Sequence, residues 1–322
     1  MAVIETSNVN GKPNQDVFSA TLQELAEQDR QIVAVTSDSR GSGKLVKFGH
    51  DLPGQIIEIG IAEQSLVGVA AGLASAGKKA FAVSPACFLT ARALEQIKND
   101  VAYSNNPVRL IGISAGVSYG ALGSTHHSLH DFAALRAINN MTIVAPADNF
   151  ETREAVKLAV KQDKPLYLRF GKKAMPNLTE DSSIGFEFGK GRVVKSGADL
   201  AIIANGETVY PALQAAEKLE QEHGIKATVV SMHTIKPLDK ELVLKLAERT
   251  GAIVTVEEHS VYGGLGEACA SLLLQNGYNK PFKIMGIPDE YTVTGSQVEI
   301  MNHYGLSADG IASAVIKMLK TQ

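Results

Sequence analysis

Cysteine is nearly absent from this 322-residue chain; Cys87 and Cys269 are the whole complement. Two thiols are too few for a disulfide framework or a metal knuckle, and they fit a reducing cytoplasm. Excess charge is missing as well. The 31 Lys and Arg stand against 34 Asp and Glu, a formal net charge of -3, with no basic run. That balance excludes the electrostatic signature of a nucleic-acid or anionic-membrane binder. No stretch approaches the roughly 18 consecutive apolar residues of a membrane span. The opening MAVIETSNVNGKPNQD is polar and lacks the apolar centre of a signal peptide. The expectation is a soluble cytoplasmic protein.

What the chain does contain is alternation. Hydrophobic residues make up 45% and charged residues 20%, enough for two domains with sizeable cores. Short β-branched runs at Ile32–Thr36, Ile56–Ile59, Ala80–Val83, Val108–Ile113, Thr142–Val144 and Leu166–Arg169 read as strands. Helical periodicity separates them at Asp16–Glu27, Glu63–Ala76 and Phe150–Val160. Continuous apolar strands joined by helices predict a mainly parallel sheet covered on both faces. A Gly-, Ser- and charge-rich stretch then interrupts the pattern, and residues 179–190 are assigned as a linker. The alternation restarts with strands near Leu200–Ala204, Ala227–Ser231, Ala252–Val256 and Lys283–Met285. Helices are expected near Pro211–Glu222, Lys240–Glu248, Gly266–Leu274 and Gly310–Leu319. Two consecutive three-layer α/β domains follow, residues 1–178 and 191–322.

Within IEIGIAEQSLVGVAAGLASAG, Ile57 to Gly77, two carboxylates sit among apolar residues. Glu63 follows a strand and opens a helix, at the sheet edge where such folds bind ligands. The helix dipole alone would favour an acid there. The small-residue helix behind it instead predicts a buried carboxyl, and buried carboxyls suit proton transfer. Glu58 reads as a strand-end residue, with an interface as its possible setting.

The segment EIGIAEQSLVGVAAGLA resembles the pyrimidine-domain signature of transketolases and deoxyxylulose-phosphate synthases, which use thiamine diphosphate. PACFLTARALEQIKNDVAYSNNPVRLIG, GSTHHSLHDFAALRAINNMTIVAPAD and PLYLRFGK agree in order. TVVSMHTIKPLD through VTVEEHSVYGGLGEA is similar to the transketolase C-terminal domain. The likeness runs from about residue 14 to 320. It implies that Glu63 hydrogen-bonds a ring nitrogen of the aminopyrimidine and favours the tautomer that deprotonates the thiazolium carbon. By the same resemblance Phe88 stacks on that ring, Arg92 lies near the same surface, and Asp38 approaches the thiazolium. His126 is implied in contact with substrate hydroxyls or phosphate, and Arg169 as a clamp on the donor's phosphate. Arg40 and Ser42, in the loop TSDSRGSG, suit a substrate anion, as they also suit a plain turn. The pair His126 and His127 has no evident third metal ligand nearby.

Three positions depart from the family pattern. Gln15 stands where many transketolases carry a phosphate-binding arginine, Ser114 where many carry a substrate histidine, and Leu122 where many carry a sugar-reading aspartate. The donor is therefore open: a pentose phosphate, a branched sugar phosphate or a sulfonated fructose. No Gly-Asp-Gly motif occurs; SADGI near residue 309 lacks its first glycine. The resemblance thus implies the small subunit of a split transketolase. A separate large subunit would supply the diphosphate and Mg2+ ligands, with no metal site in this chain. The cofactor would lie at the junction of a two-plus-two heterotetramer, with the small-residue helix at the interface. Competing readings are the β-subunit of a 2-oxo-acid dehydrogenase decarboxylase and a catalytically silent regulatory paralogue.

Overall fold

A computed structural model describes residues 11–178 and 185–320. The polar N-terminus before Gly11 and half of the expected linker, residues 179–184, lie outside the described residues.

Six strands of the first sheet come in chain order as β1 (Ile32–Thr36), β2 (Ile56–Glu58), β3 (Lys79–Pro85), β4 (Arg109–Ile113), β5 (Thr142–Val144) and β6 (Leu166–Arg169). They pair parallel to one another. Alternate side chains feed two separate cores, which is why these strands read as unbroken apolar runs. Along β3, Ala80 and Ala82 pack under the helix Glu63–Ser75, while Phe81 and Val83 pack under the helices Asn14–Gln28 and Asn149–Lys161.

The second sheet holds β7 (Arg192–Lys195), β8 (Leu200–Ala204), β9 (Ala227–Ser231), β11 (Ile253–Ser260) and β12 (Phe282–Ile287), in the order β12-β11-β8-β9-β7. Helices Val209–His223 and Ala308–Lys320 cover one face; Lys240–Arg249 and Leu265–Gln275 cover the other. β7 runs antiparallel on the edge just after the expected linker, where the sequence reading names no strand.

One strand crosses between the two halves. β10 (Thr234–Lys236) follows β9 in the chain but pairs antiparallel with β5, making the first sheet seven-stranded in the order β10-β5-β6-β4-β3-β1-β2. The two halves therefore do not separate at a linker; the second lends a strand to the first. Among the described residues, no helix is long and apolar enough to cross a membrane.

The helix Glu63–Ser75 differs from the close-packed element its small residues suggest. Leu66, Val67, Ala70, Ala71 and Ala74 face the core, but a Cβ placed on Gly68 or Gly72 would meet nothing within 4 Å. Its small-residue face is open in this chain. Two glycines cost a helix about 1 kcal/mol each relative to alanine, and nothing among the described residues exploits them.

Candidate active site

All the parallel strands of the first sheet end on the same edge, and the loops leaving that edge carry the candidate residues. Glu63 is the first residue of its helix and only 4% exposed. Arg92, at the end of the short helix Ala86–Arg92 that follows β3, reaches across to it. One guanidinium nitrogen, Nη1, donates to both carboxylate oxygens of Glu63, at 3.0 and 2.9 Å. The same guanidinium lies 4.2 Å above the Phe88 ring. Phe88 meets the His126 ring edge-on at 5.3 Å between centroids, and His126 meets Tyr119 at 5.4 Å. Lys172 Nζ stands 4.0 Å over the Tyr119 ring. Burial first, and then nearby Lys44, press the Lys172 ammonium below its ordinary pKa. Glu63, Arg92, Phe88 and His126 thus form one continuous group, with Tyr119 and Lys172 extending it.

Asp38, Arg40 and Ser42 gather separately at the ends of β1 and β2. Here Glu58 is the organising residue, and it is neither buried nor idle. Its Oε1 accepts from the main-chain N–H groups of Asp38 and Gly60 at 2.6 and 3.0 Å, and its Oε2 accepts from the Thr36 hydroxyl at 2.8 Å. Burial alone would raise this carboxyl, but those donors, with Arg40 nearby, hold it below its ordinary value. They also fix Asp38 in a left-handed backbone conformation, φ +54°, a region that Asp tolerates better than most residues. Arg40 Nε approaches Glu58 at 3.6 Å, so the arginine expected for a substrate anion faces an acid of its own chain. Ser42 is exposed on the open loop.

Arg169 lies deeper than the other candidate arginines. It ends β6 as expected, yet its side chain is 5% exposed and turned inward. Nε donates to Asp131 at 2.8 Å; Nη2 donates to the carbonyls of Ser128 at 3.1 Å and Glu258 at 2.8 Å. Phe132 lies under the guanidinium at 4.6 Å. These contacts engage Nε and Nη2 and make Arg169 a tie between the two halves, while no hydrogen bond among the described residues engages Nη1. Ser114 is fully buried with φ +53°. Gln15 is buried on the first helix, and Leu122 is 55% exposed on a turn.

Residues to which the sequence reading gives no role complete the site. His127 points away from His126: its Nε2 lies 3.0 Å from the Gly120 carbonyl and its Nδ1 2.6 Å from the Thr292 hydroxyl. The Gly120 carbonyl needs a donor, so Nε2 carries the proton and Nδ1 accepts from Thr292. Glu258 Oε1 accepts from the Val117 N–H at 2.8 Å. The loop that carries His126 is therefore held from the second half of the chain. Only the adjacent His pair and the acidic VTVEEHS hinted at this. Among the described residues, no group of three or more His, Cys, Asp and Glu is placed to hold a metal ion.

Fold and site together define a protein built to present a buried acid and an aromatic face at the edge of a parallel sheet. Comparison with known proteins identifies the family. Residues 12–177 match the transketolase pyrimidine binding domain and residues 189–311 the transketolase C-terminal domain. The chain belongs to the transketolase family. It is 52% identical to a subunit of the apulose-4-phosphate transketolase of Phocaeicola vulgatus, covering 94% of this chain and 96% of the relative. Identity to the 6-deoxy-6-sulfo-D-fructose transketolase subunit of a Clostridium species is 35%, over 93% and 92%. A solved structure described as a split gene transketolase, an inactive beta4 tetramer, superposes with a TM-score of 0.85 at 38% identity, over 96% of this chain and 99% of that one. These two relatives of matching length are single subunits; the match to the 1-deoxy-D-xylulose-5-phosphate synthase 1 of Geobacter sulfurreducens, 39% identical, spans only 47% of that longer protein.

Proposed function

We propose that this chain is the small subunit of a split, thiamine diphosphate-dependent transketolase that moves a two-carbon ketol unit from a ketose phosphate to an aldose. The observation that supports this best is the buried Glu63 joined through Arg92 to the Phe88 ring, with His126 edge-on to that ring. The site fits the cofactor's aminopyrimidine: a flat, nitrogen-rich group already lies over Phe88 and donates to Glu63, in the form of the Arg92 guanidinium. Thiamine diphosphate, when bound, supplies the nucleophilic carbon and electron sink for carbon–carbon cleavage.

The chain's own residues divide the remaining work. Glu63, only 4% exposed, would hold a proton at the ring nitrogen, its burial limiting competition from water for the hydrogen bond. Phe88 orients the ring by stacking. Asp38, whose main-chain N–H is held by Glu58, would approach the thiazolium of the bound cofactor. His126 contacts the substrate hydroxyls. The donor's phosphate falls to Arg169 through its Nη1, and to Lys172 and Lys44, because these two ammonium groups are close enough to repel each other and neither is locked in the interior. The diphosphate and Mg2+ ligands belong to a large partner subunit, and the open Gly68 and Gly72 face of the helix Glu63–Ser75 is where that partner packs in a two-plus-two assembly.

For the donor, apulose 4-phosphate is the first choice. The 52% identity to a transketolase subunit named for that sugar supports it, as does the loss of the usual polar handles at Gln15, Ser114 and Leu122. The test is reconstitution with the large subunit and an aldose phosphate acceptor, offering apulose 4-phosphate, a pentose phosphate and 6-deoxy-6-sulfofructose in parallel. Transfer from the first at the highest kcat/KM is expected; transfer to a lipoyl acceptor instead would overturn the transketolase reading.

A further inference from the structure

Arg92 makes, within this chain, both contacts that a flat heteroaromatic ring would make in the slot between Phe88 and Glu63. Its guanidinium carbon lies over the Phe88 ring, 4.2 Å from the ring centre, and its Nη1 donates to both oxygens of Glu63. Contact between carbon atoms occurs at about 3.5–4.0 Å, so no second plane fits between the guanidinium and the phenyl ring. One face of Phe88 and one carboxylate cannot serve two donors at once.

We propose that Arg92 is the gate of this slot: its guanidinium takes the place of the aminopyrimidine, which enters only as Arg92 turns out to solvent. The proposal rests on the reading that the slot accepts an aminopyrimidine, and it assigns Arg92 a role opposed to simple cofactor contact.

Three features make the exchange one-sided. The Arg92 side chain is 48% exposed and Glu63 only 4%, so the arginine has a way out and the acid does not. Arg92 sits in the last turn of a seven-residue helix, so rotation about its own side-chain bonds clears the slot without moving the backbone. Among the described residues, Glu63 is the acid with which Arg92 forms an ion pair, and the turn Gly120–Thr125 beside His126 offers no carboxylate to hold it elsewhere. Departure of Arg92 alone would strand a buried charge. Arrival of a ring nitrogen at the same carboxyl replaces the lost hydrogen bond, so release and entry are linked. Binding then carries a penalty set by the fraction of molecules with the gate open.

The test uses the full-length chain with thiamine, which carries the aminopyrimidine but no diphosphate, followed by calorimetry or saturation-transfer NMR. Arg92→Met is expected to bind thiamine about tenfold or more tightly than the wild type, equivalent to about 1.4 kcal/mol, and adding Phe88→Ala to abolish the gain. Arg92→Lys, which keeps the charge but loses the plane, should shift affinity in the same direction and covers the case in which Arg92→Met folds poorly. Unchanged or weaker binding in both arginine variants, with Phe88→Ala still abolishing it, would overturn the gate and leave the slot reading intact. Thiamine binding indifferent to both Phe88→Ala and Glu63→Ala in every background would remove the slot reading, and the gate with it.

Discussion

Glu58 Oε1 lies 2.6 Å from the main-chain nitrogen of Asp38, across the paired ends of β1 and β2. An acid at the end of β2 is thereby accounted for: it satisfies two loop N–H groups and a threonine hydroxyl at the rim of the site. Glu58→Gln keeps one acceptor and loses the charge. Charge-assisted hydrogen bonds of this kind stabilise by about 1–2 kcal/mol, and partial exposure places the expected loss near the lower end. Because the folded carboxyl is held below its ordinary value, its contribution is present above the ordinary carboxylate range and fades as pH falls through the lowered value. Urea unfolding at pH 7 should show the deficit, and the same comparison at about pH 3 should show less of it.

A second acid pair predicts the opposite slope. Gln297 Nε2 donates to Glu207 at 2.7 Å and to Glu258 at 3.0 Å, while the other Glu207 oxygen has no partner among the described residues and sits where a Cβ on Gly171 would fall. Arg169 and Lys173 are the cations facing Glu207, and Asp131 adds negative charge beside Glu258. Burial, then Glu258, push Glu207 up to about 8. A raised acid binds its proton more tightly when folded, so stability falls as pH climbs from the ordinary carboxyl range to about 8 and levels above it. Glu207→Gln removes that slope. Melting curves should therefore place the variant above the wild type at pH 8.5 by a wider margin than at pH 5.5; parallel curves would count against a retained proton.

Replacing Glu63 tests the proton step itself. Glu63→Gln preserves size and can donate a hydrogen bond, but it cannot exchange a proton with a ring nitrogen. In the reconstituted assembly, deuterium exchange at the thiazolium carbon should slow by roughly 10²–10⁴-fold. Rapid-quench NMR reads this directly, and near-normal exchange would make the buried acid structural.

Lys172→Met addresses the anion. Removing a half-buried ammonium that pairs with no acid among the described residues should leave the fold nearly untouched. The KM for a phosphorylated donor should rise about tenfold with kcat little changed, the pattern of lost binding rather than lost chemistry. The same substitution should blunt the salt dependence of KM, which a screened ionic contact would otherwise show. Arg169→Met, by contrast, should lower the melting temperature, since it strands Asp131 in the interior.

How much of this was legible beforehand depends on the range of the interaction. Local pattern specified Ile32–Thr36, Thr142–Val144, Leu166–Arg169 and Leu200–Ala204 to the residue, because strands buried on both faces leave an unbroken apolar run. The motif order also specified the family and singled out Glu63, Phe88 and His126, which the fold brings to one edge of the sheet. Pairings between distant segments were decided elsewhere. β10 is three residues long and finds β5 some ninety positions away, so no periodicity announces it. Whether an arginine meets solvent or a buried aspartate depends on what lies across it; Arg169 and Asp131 are 38 residues apart. Arg92 on Glu63, Glu258 on Val117 and Thr292 on His127 follow the same rule. The sequence set which side chains stand at the sheet's edge. The tertiary structure chose their partners, because hydrogen-bond geometry and burial exist only once distant segments have been brought into contact.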